Sequence, residues 1–576
     1  MNQTKDIYDV TERTAPADVR CTVENLMLPM RDGVRIYTAL YFPPDFRGKV
    51  PVLLIRTPYM QTTAILPPDA HALKKGYVCV LQACRGTAWS DGVFDPAERD
   101  RERDDAEDLF LWLRKQDWFN GRCVMLGASY PGWVQWCAAR TACPELVAVA
   151  PRVAPLYSCT GATCPGGGIR FSFTLNWMLS MHHRSTYGYA SVPNYEGNGL
   201  FRQLPVMEAD RHAGYPELPP FRKFLKKALL PGKHLKSHIA DFDVMRAPAY
   251  IVGGWFDGFK AETIESFIRM RQQAATASAR EFTRLTIGPW GHGGLLNPEL
   301  FGKRCDYRET NKRMYRHLDG LLRNPEKDPL PGEPAVRYYA LGINEWKTAD
   351  TWPPQGVHEI RYYLHSGGNA NSLKGDGTLS RRKPDTEKPD IYVSDPNDPV
   401  LSNNGKHVAL GCYDRTPMQE RTDVLVYTSF VFRQPLAVAG EVRLTFSAAV
   451  STPDTDFVAV LTDVLPDGRA MILSTGMIRA RFRRSMEKEE FLIPGRTYRF
   501  EISLSHIAVT FMPGHAMRLE IAGQHFPMLD RNANTGGPLF RDAELKTSVH
   551  TVFHTSDAPA ELVLPVEGPR LTATFQ

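Results

Sequence analysis

Apolar and polar positions along the first 330 residues follow two alternating rhythms. Residues 34–41 alternate with period two, and 52–55, 77–81, 124–126 and 146–150 are short apolar runs. Between them, 104–113 carries helical spacing, with Leu109, Phe110 and Leu113 on one face. Apolar runs at 249–252 and 285–287 resume the pattern. Buried strands alternating with helices predict a mostly parallel, helix-covered sheet, an α/β class. The rhythm breaks from 155 to 244, which is rich in Gly, Pro, His and aromatic residues and reads as helical at 173–181 and 221–229. Such an insertion is expected to lie over the strand ends as a mainly helical cap. Beyond 330, short alternating strands (443–446, 457–460, 518–521) are divided by the turns Pro466-Asp467-Gly468 and Pro513-Gly514. That half predicts an all-β sandwich, a jelly roll, with 366–390 as its exposed loop. The expected domains are therefore 1–154 with 245–330, the cap at 155–244, and the β domain at 331–576.

Chemistry enters at Gly127-Ala128-Ser129-Tyr130-Pro131-Gly132, which follows an apolar run and precedes a helical segment. A serine on a sharp strand-to-helix turn, flanked by small residues, is the nucleophile elbow of an α/β-hydrolase. Pro131 stands where the second glycine usually falls, and Gly132 comes one later. Proline suits the first helical turn because the N–H it lacks would be unpaired there. A serine hydroxyl needs a base to take its proton and an acid to orient that base. In this fold they follow in the order Ser, Asp, His, each just past a strand. Ile251-Val252-Gly253-Gly254-Trp255-Phe256-Asp257 and Leu285-Thr286-Ile287-Gly288-Pro289-Trp290-Gly291-His292 fit those places. Ser129 is thus the expected nucleophile, Asp257 the orienting acid and His292 the general acid–base. The elbow also makes the backbone N–H of Tyr130 an expected oxyanion donor.

These three motifs together resemble the cocaine esterase / X-prolyl dipeptidyl peptidase family, a group that includes α-amino-acid ester hydrolases and glutaryl acylases. Arg56-Thr57-Pro58-Tyr59 and Arg85-Gly86-Thr87 with Ser90-Asp91-Gly92 are similar to its loops after successive strands. Asp454-Thr455-Asp456-Phe457 and Asp463-Val464-Leu465-Pro466-Asp467-Gly468-Arg469 resemble its jelly-roll signature, so the likeness runs from about residue 23 to the C-terminus. The resemblance implies that the phenol of Tyr59 is the second oxyanion donor. It also implies cleavage of an ester or amide through an acyl-enzyme on Ser129. Members that require a free α-amino group hold it with carboxylates near the cap, and Glu208, Asp210 and Glu217 are available here. X-prolyl peptidases of this type are often longer, so a small-molecule carboxylic ester is the expected substrate. An amidase, aminopeptidase or acyltransferase would share every motif, and a non-catalytic carbohydrate-binding protein is the remote alternative. Trp177 and Trp255 are the expected substrate-binding aromatics.

Composition narrows the remaining classes. The chain has 576 residues, too many for one core, and a formal net charge of +5 that singles out no polyanionic partner. Lysines over 223–236 alternate with leucines, as in an amphipathic cap helix, and Arg479-Ala480-Arg481-Phe482-Arg483-Arg484 reads as an exposed strand. No nucleic-acid partner is expected from either. His182-His183 lacks the companions of a metal site, and Gly166-Gly167-Gly168 lacks the lysine of a phosphate loop, so neither metal nor cofactor is expected. The first residues lack a signal-peptide core, and no apolar stretch is long enough to span a bilayer. The cytoplasm is the expected location, with no membrane partner and mostly free thiols, a Cys159–Cys164 pair being the alternative. A homo-oligomer stays open.

Overall fold

A computed structural model describes residues 21–44, 46–60, 69–96, 98–157, 163–187, 199–229, 241–295, 297–302, 305, 307–402 and 411–568, with backbone alone at 184–187 and 295. The first half builds a ten-stranded sheet from β1 (Thr22–Pro29), β2 (Arg35–Phe42), β3 (Val50–Thr57), β4 (Val78–Ala83), β5 (Phe119–Ala128), β6 (Leu146–Arg152), β7 (Tyr250–Gly254) and β8 (Arg284–Gly288). A short hairpin follows, β9 (Trp290–Gly291) with β10 (Gly294–Leu295), and then β11 (Val336–Ala340) and β12 (Glu345–Ala349) complete the sheet. Its order is β1-β2-β4-β3-β5-β6-β7-β8-β11-β12. Every neighbouring pair from β4 through β11 is parallel, and the edges are antiparallel. β3 through β8 are buried almost throughout, which is why their sequences read as continuous apolar runs.

The sheet takes two strands from beyond residue 330. β11 pairs in parallel with β8, Val336 opposite Leu285, so β11 and β12 join the first sheet although they lie beyond residue 330. The alternation of Val336-Arg337-Tyr338-Tyr339-Ala340 fits any half-buried strand, and local pattern does not say which sheet a strand joins.

From His358 to Val566 the chain forms eleven strands among the described residues, folded as the expected β-sandwich. The segment 366–390 is more ordered than its polarity suggests. Ser366 Oγ lies 2.7 Å from carboxylate oxygens of both Asp376 and Asp390, and Asp390 is fully buried with His554 and Tyr427 as further partners. These polar residues satisfy one another, which ties the ends of a largely exposed segment, as expected, to the buried Asp390.

Residues 479–482 of the arginine run are buried rather than exposed, while Arg484 stays exposed. Arg479 pairs with Asp456 at 2.8 Å and Asp530 at 3.0 Å, and Arg481 pairs with Asp454 at 2.7 Å. The Asp454-Thr455-Asp456 motif thus supplies the carboxylates that these guanidiniums need.

The cap, led by the helix Phe171–Tyr187, packs on the β domain through a shared apolar cluster with Phe482, Phe526 and Phe540. Ile169 N–H donates to Asp530 at 2.7 Å and Met207 N–H to the Phe540 carbonyl at 2.7 Å. The helix Pro219–Ala228 buries Phe221, Phe224 and Leu225 while Lys223 reaches Asp95 at 2.7 Å, an amphipathic surface helix as expected. Residues 230–236 of that lysine-rich run lie outside the described residues. A further apolar cluster is continuous across both large domains, from Phe256 and Ile287 to Leu444 and Val509. No helix among the described residues is long and apolar enough to cross a membrane.

Candidate active site

Ser129 sits at the end of β5 with φ +63° and ψ −127°, a conformation that L-residues adopt only under constraint. The constraint is visible around it. Ser129 N–H donates to the Arg152 carbonyl on β6 at 2.9 Å, and the helix Tyr130–Ala139 begins at once. A Cβ on Gly127 would lie 2.5 Å from that of Pro131, and one on Gly132 would lie 2.5 Å from that of Ala154. Both glycines therefore admit close passage of the helix, which explains why the second falls after Pro131.

Three elements converge on this turn. The loop after β7 brings Asp257, and the β9–β10 hairpin brings His292. His292 Nδ1–H donates to Asp257 Oδ2 at 2.6 Å, and Ser129 Oγ–H donates to His292 Nε2 at 2.9 Å. The other carboxylate oxygen of Asp257 accepts the Phe259 N–H at 2.7 Å, which fixes the acid with its second lone pair used. The rings of Phe173 and Phe259 stand edge-on to the imidazole, with centroids 6.0 and 5.4 Å away. Neither phenylalanine is signalled by any local motif; both are found only once the cap helix and the Asp257 loop are placed together.

Tyr59, just past β3, packs against the apolar cluster that includes Tyr130 and Trp133. Its hydroxyl accepts a hydrogen bond from Trp177 Nε1 at 3.3 Å. The Trp177 ring also stacks on Tyr130, centroids 5.9 Å apart. Tyr130 opens its helix, so its N–H has no preceding turn to donate to. Trp255, by contrast, turns away from Ser129. Its indole is buried, donates to the Tyr339 carbonyl at 2.7 Å and packs on Trp352, so it supports the Asp257 loop from the sheet side. The expectation of a substrate contact there is corrected: a side chain next to a loop acid faces the core here, because β11 supplies its acceptor.

Beneath the serine, Tyr130 Oη donates to Glu102 at 3.0 Å, and Glu102 pairs with the fully buried Arg56 at 3.1 Å. Arg85 bridges Asp105 and Asp32 beside them. Burial pushes the Glu102 carboxyl up against the pull of Arg56, and pushes the Tyr130 phenol well up. The arginines of the two resembling loops therefore serve as buried anchors that hold the β3 and β4 ends.

The cap carboxylates are committed elsewhere. Arg222 pairs with Glu208 and Asp210, both at 2.8 Å, and Arg211 pairs with Glu217 at 3.2 Å. Hydrogen bonding from Arg222 draws Glu208 down to about 2. His182 and His183 pack against Tyr215, and the described residues contain no cluster of three groups fit to hold a metal. Cys159 lies outside the described residues.

Comparison with known proteins gives the family and the fold. Residues 32–294 match the family model of the X-Pro dipeptidyl-peptidase (S15 family), and 331–563 match the X-Pro dipeptidyl-peptidase C-terminal non-catalytic domain. Cocaine esterase from Rhodococcus sp. (strain MB1 Bresler) is 33% identical, over 94% of this chain and 98% of its own. Among solved structures, an aminopeptidase from a marine sediment Thaumarchaeota archaeon superposes with a TM-score of 0.81 at 23% identity, covering 99% of this chain and 100% of its own. An α-amino acid ester hydrolase does so with a TM-score of 0.79 at 22% identity, covering 98% and 100%. Fold and relatives together define a serine hydrolase of the α/β-hydrolase class. The chain belongs to the cocaine esterase / X-Pro dipeptidyl-peptidase family.

Proposed function

We propose that this protein hydrolyses a small carboxylic ester through an acyl-enzyme on Ser129. The continuous hydrogen-bonded chain Asp257–His292–Ser129, at 2.6 and 2.9 Å and ending on a serine held at positive φ, carries this reading. His292 Nε2 takes the Ser129 proton as Oγ attacks the carbonyl, and Asp257 steadies the resulting imidazolium. The oxyanion that forms is received by the Tyr130 N–H and the Tyr59 phenol, placed by Trp177. His292 then returns the proton to the leaving alkoxide, and a water activated by the same imidazole releases the acid.

Ester rather than free-amino substrates are favoured because Glu208, Asp210 and Glu217 are each already paired with Arg222 or Arg211. An ammonium group would have to displace an arginine to use them. A cytoplasmic location fits the same reading, supported by the free, buried thiols of Cys84, Cys123 and Cys137. The test is initial rates on simple nitrophenyl esters, free-amino aminoacyl esters and Xaa-Pro anilides, with Ser129→Ala as the blank. Preference for simple esters, lost in the variant, is expected. Preference for either of the other substrates would overturn the ester assignment, and turnover by Ser129→Ala would overturn the nucleophile.

A further inference from the structure

The residue before the cap helix, Arg170, stands out against every other buried arginine described above. Arg56, Arg479 and Arg481 each meet a carboxylate, as does Arg415 with Glu520 at 2.9 Å. The half-buried guanidinium of Arg170 makes no ion pair and no hydrogen bond with any described residue. Its backbone, however, is firmly held. Arg170 N–H donates to the Thr163 carbonyl, its own carbonyl accepts from Thr174 N–H, and neighbouring Ile169 is pinned to Asp530.

Its position relative to the triad follows from helix geometry. Residues 170, 173 and 177 share one helix face at spacings of three and four. Trp177 meets Tyr59, Phe173 meets His292, and Arg170 continues the row to the Asp257 end, within electrostatic reach of Asp257 and Glu262. From Trp177 to Arg170 the face advances roughly 10 Å. Neither nearby carboxylate takes the guanidinium as a partner. Asp257 is occupied by His292 and the Phe259 N–H, and Glu262 accepts the Leu156 and Tyr157 N–H groups.

A second orphan lies beside it. His525, from the β domain, is 2% exposed, interacts electrostatically with Arg170, and has no hydrogen-bond partner on either ring nitrogen. Burial holds its imidazole neutral, so one ring N–H remains to be donated. A half-buried guanidinium and a buried imidazole, both without partners, carry a desolvation cost that a planar anion would offset through bidentate hydrogen bonds.

We propose that Arg170, aided by His525, is a substrate-binding residue that receives a carboxylate carried by the ester, several bonds from the scissile carbonyl. The favoured substrates are then half-esters of dicarboxylic acids or esters of carboxylated alcohols and phenols. The proposal rests on the ester-hydrolase reading.

Two matched pairs test it: 4-acetoxybenzoate against its methyl ester, and 4-nitrophenyl hydrogen adipate against its methyl ester. Wild type is expected to favour the free acid in at least one pair by tenfold or more in kcat/KM, chiefly through KM. Arg170→Met is expected to collapse that ratio to near one, and Arg170→Lys to restore part of it. Absence of a preference for either acid in wild type would overturn the proposal without reference to any variant. A ratio that survives in Arg170→Met would also overturn it, since an arginine acting only through Asp257 slows both members of a pair alike. Failure of wild type to cleave even the neutral methyl esters would instead count against ester hydrolysis itself.

Discussion

The Trp177 indole N–H donates to the Tyr59 phenol, and the proposed oxyanion role asks that phenol to donate its own proton in turn. A phenol that accepts one hydrogen bond in line is pre-oriented to donate another, which is what an oxyanion requires of it. Tyr59→Phe keeps the ring packing and removes only that donor. Its expected outcome is an unchanged circular dichroism spectrum with kcat lower by roughly a hundredfold or more, about 2.7–4 kcal/mol in the transition state. A near-wild-type kcat would remove Tyr59 from the reaction. The three residues of the Asp257–His292–Ser129 hydrogen-bonded chain were legible in the sequence because each follows an apolar strand, so strand pattern and chain order located them without contacts. Trp255 was not, since its side-chain direction depends on the Tyr339 carbonyl, which lies 84 positions further along the chain. Phe173, Phe259 and Arg170 were invisible for a similar reason: they become a site only when the cap is laid over the hairpin.

Elements tell the same story through their charges. The alternating arginines at 479–484 looked like a solvated strand, yet the partner strand offers Asp456, the turn before it offers Asp454, and Arg479 reaches Asp530 as well. Arg479→Met would leave two buried carboxylates without their cation, a loss of about 3–5 kcal/mol measurable by denaturant unfolding. A loss under ~1 kcal/mol would mean that these carboxylates find other partners. The helix Lys260–Gln273 carries the opposite case. Burial, with Arg170 nearby, lowers the Lys260 ammonium from 10.5 to about 7, while its Nζ donates to Ser474 of the β domain at 3.1 Å. Between pH 7 and 10.5 the unfolded chain binds more protons at this site, so its destabilising effect is complete below 7 and fades as pH rises. Lys260→Met should therefore gain most over wild type at pH 6, on the order of a few kcal/mol less ~1 for the lost hydrogen bond. That advantage should vanish toward pH 10 in urea melts; a pH-independent difference would contradict it.

At the scale of the molecule, strand and helix positions were readable because burial on both faces leaves apolar runs, whereas the sheet that β11 and β12 join was not. Leu341, just past β11, exchanges backbone hydrogen bonds with Ala508 and Thr510 of the sandwich at 3.0 and 2.8 Å, and one apolar cluster crosses the junction. Two domains joined by a common core should lose structure together. Loss of esterase activity, far-UV dichroism and tryptophan fluorescence is expected to coincide along a urea titration, and a separate early transition in any one of them would show that the halves unfold independently. The bond from Ile169 to Asp530 spans 361 positions and fixes the start of the helix that faces His292. The half of the chain that carries none of the triad is thus the datum from which the pocket is gauged. Drift in its sequence can retune which esters fit while the reacting atoms stay as they are.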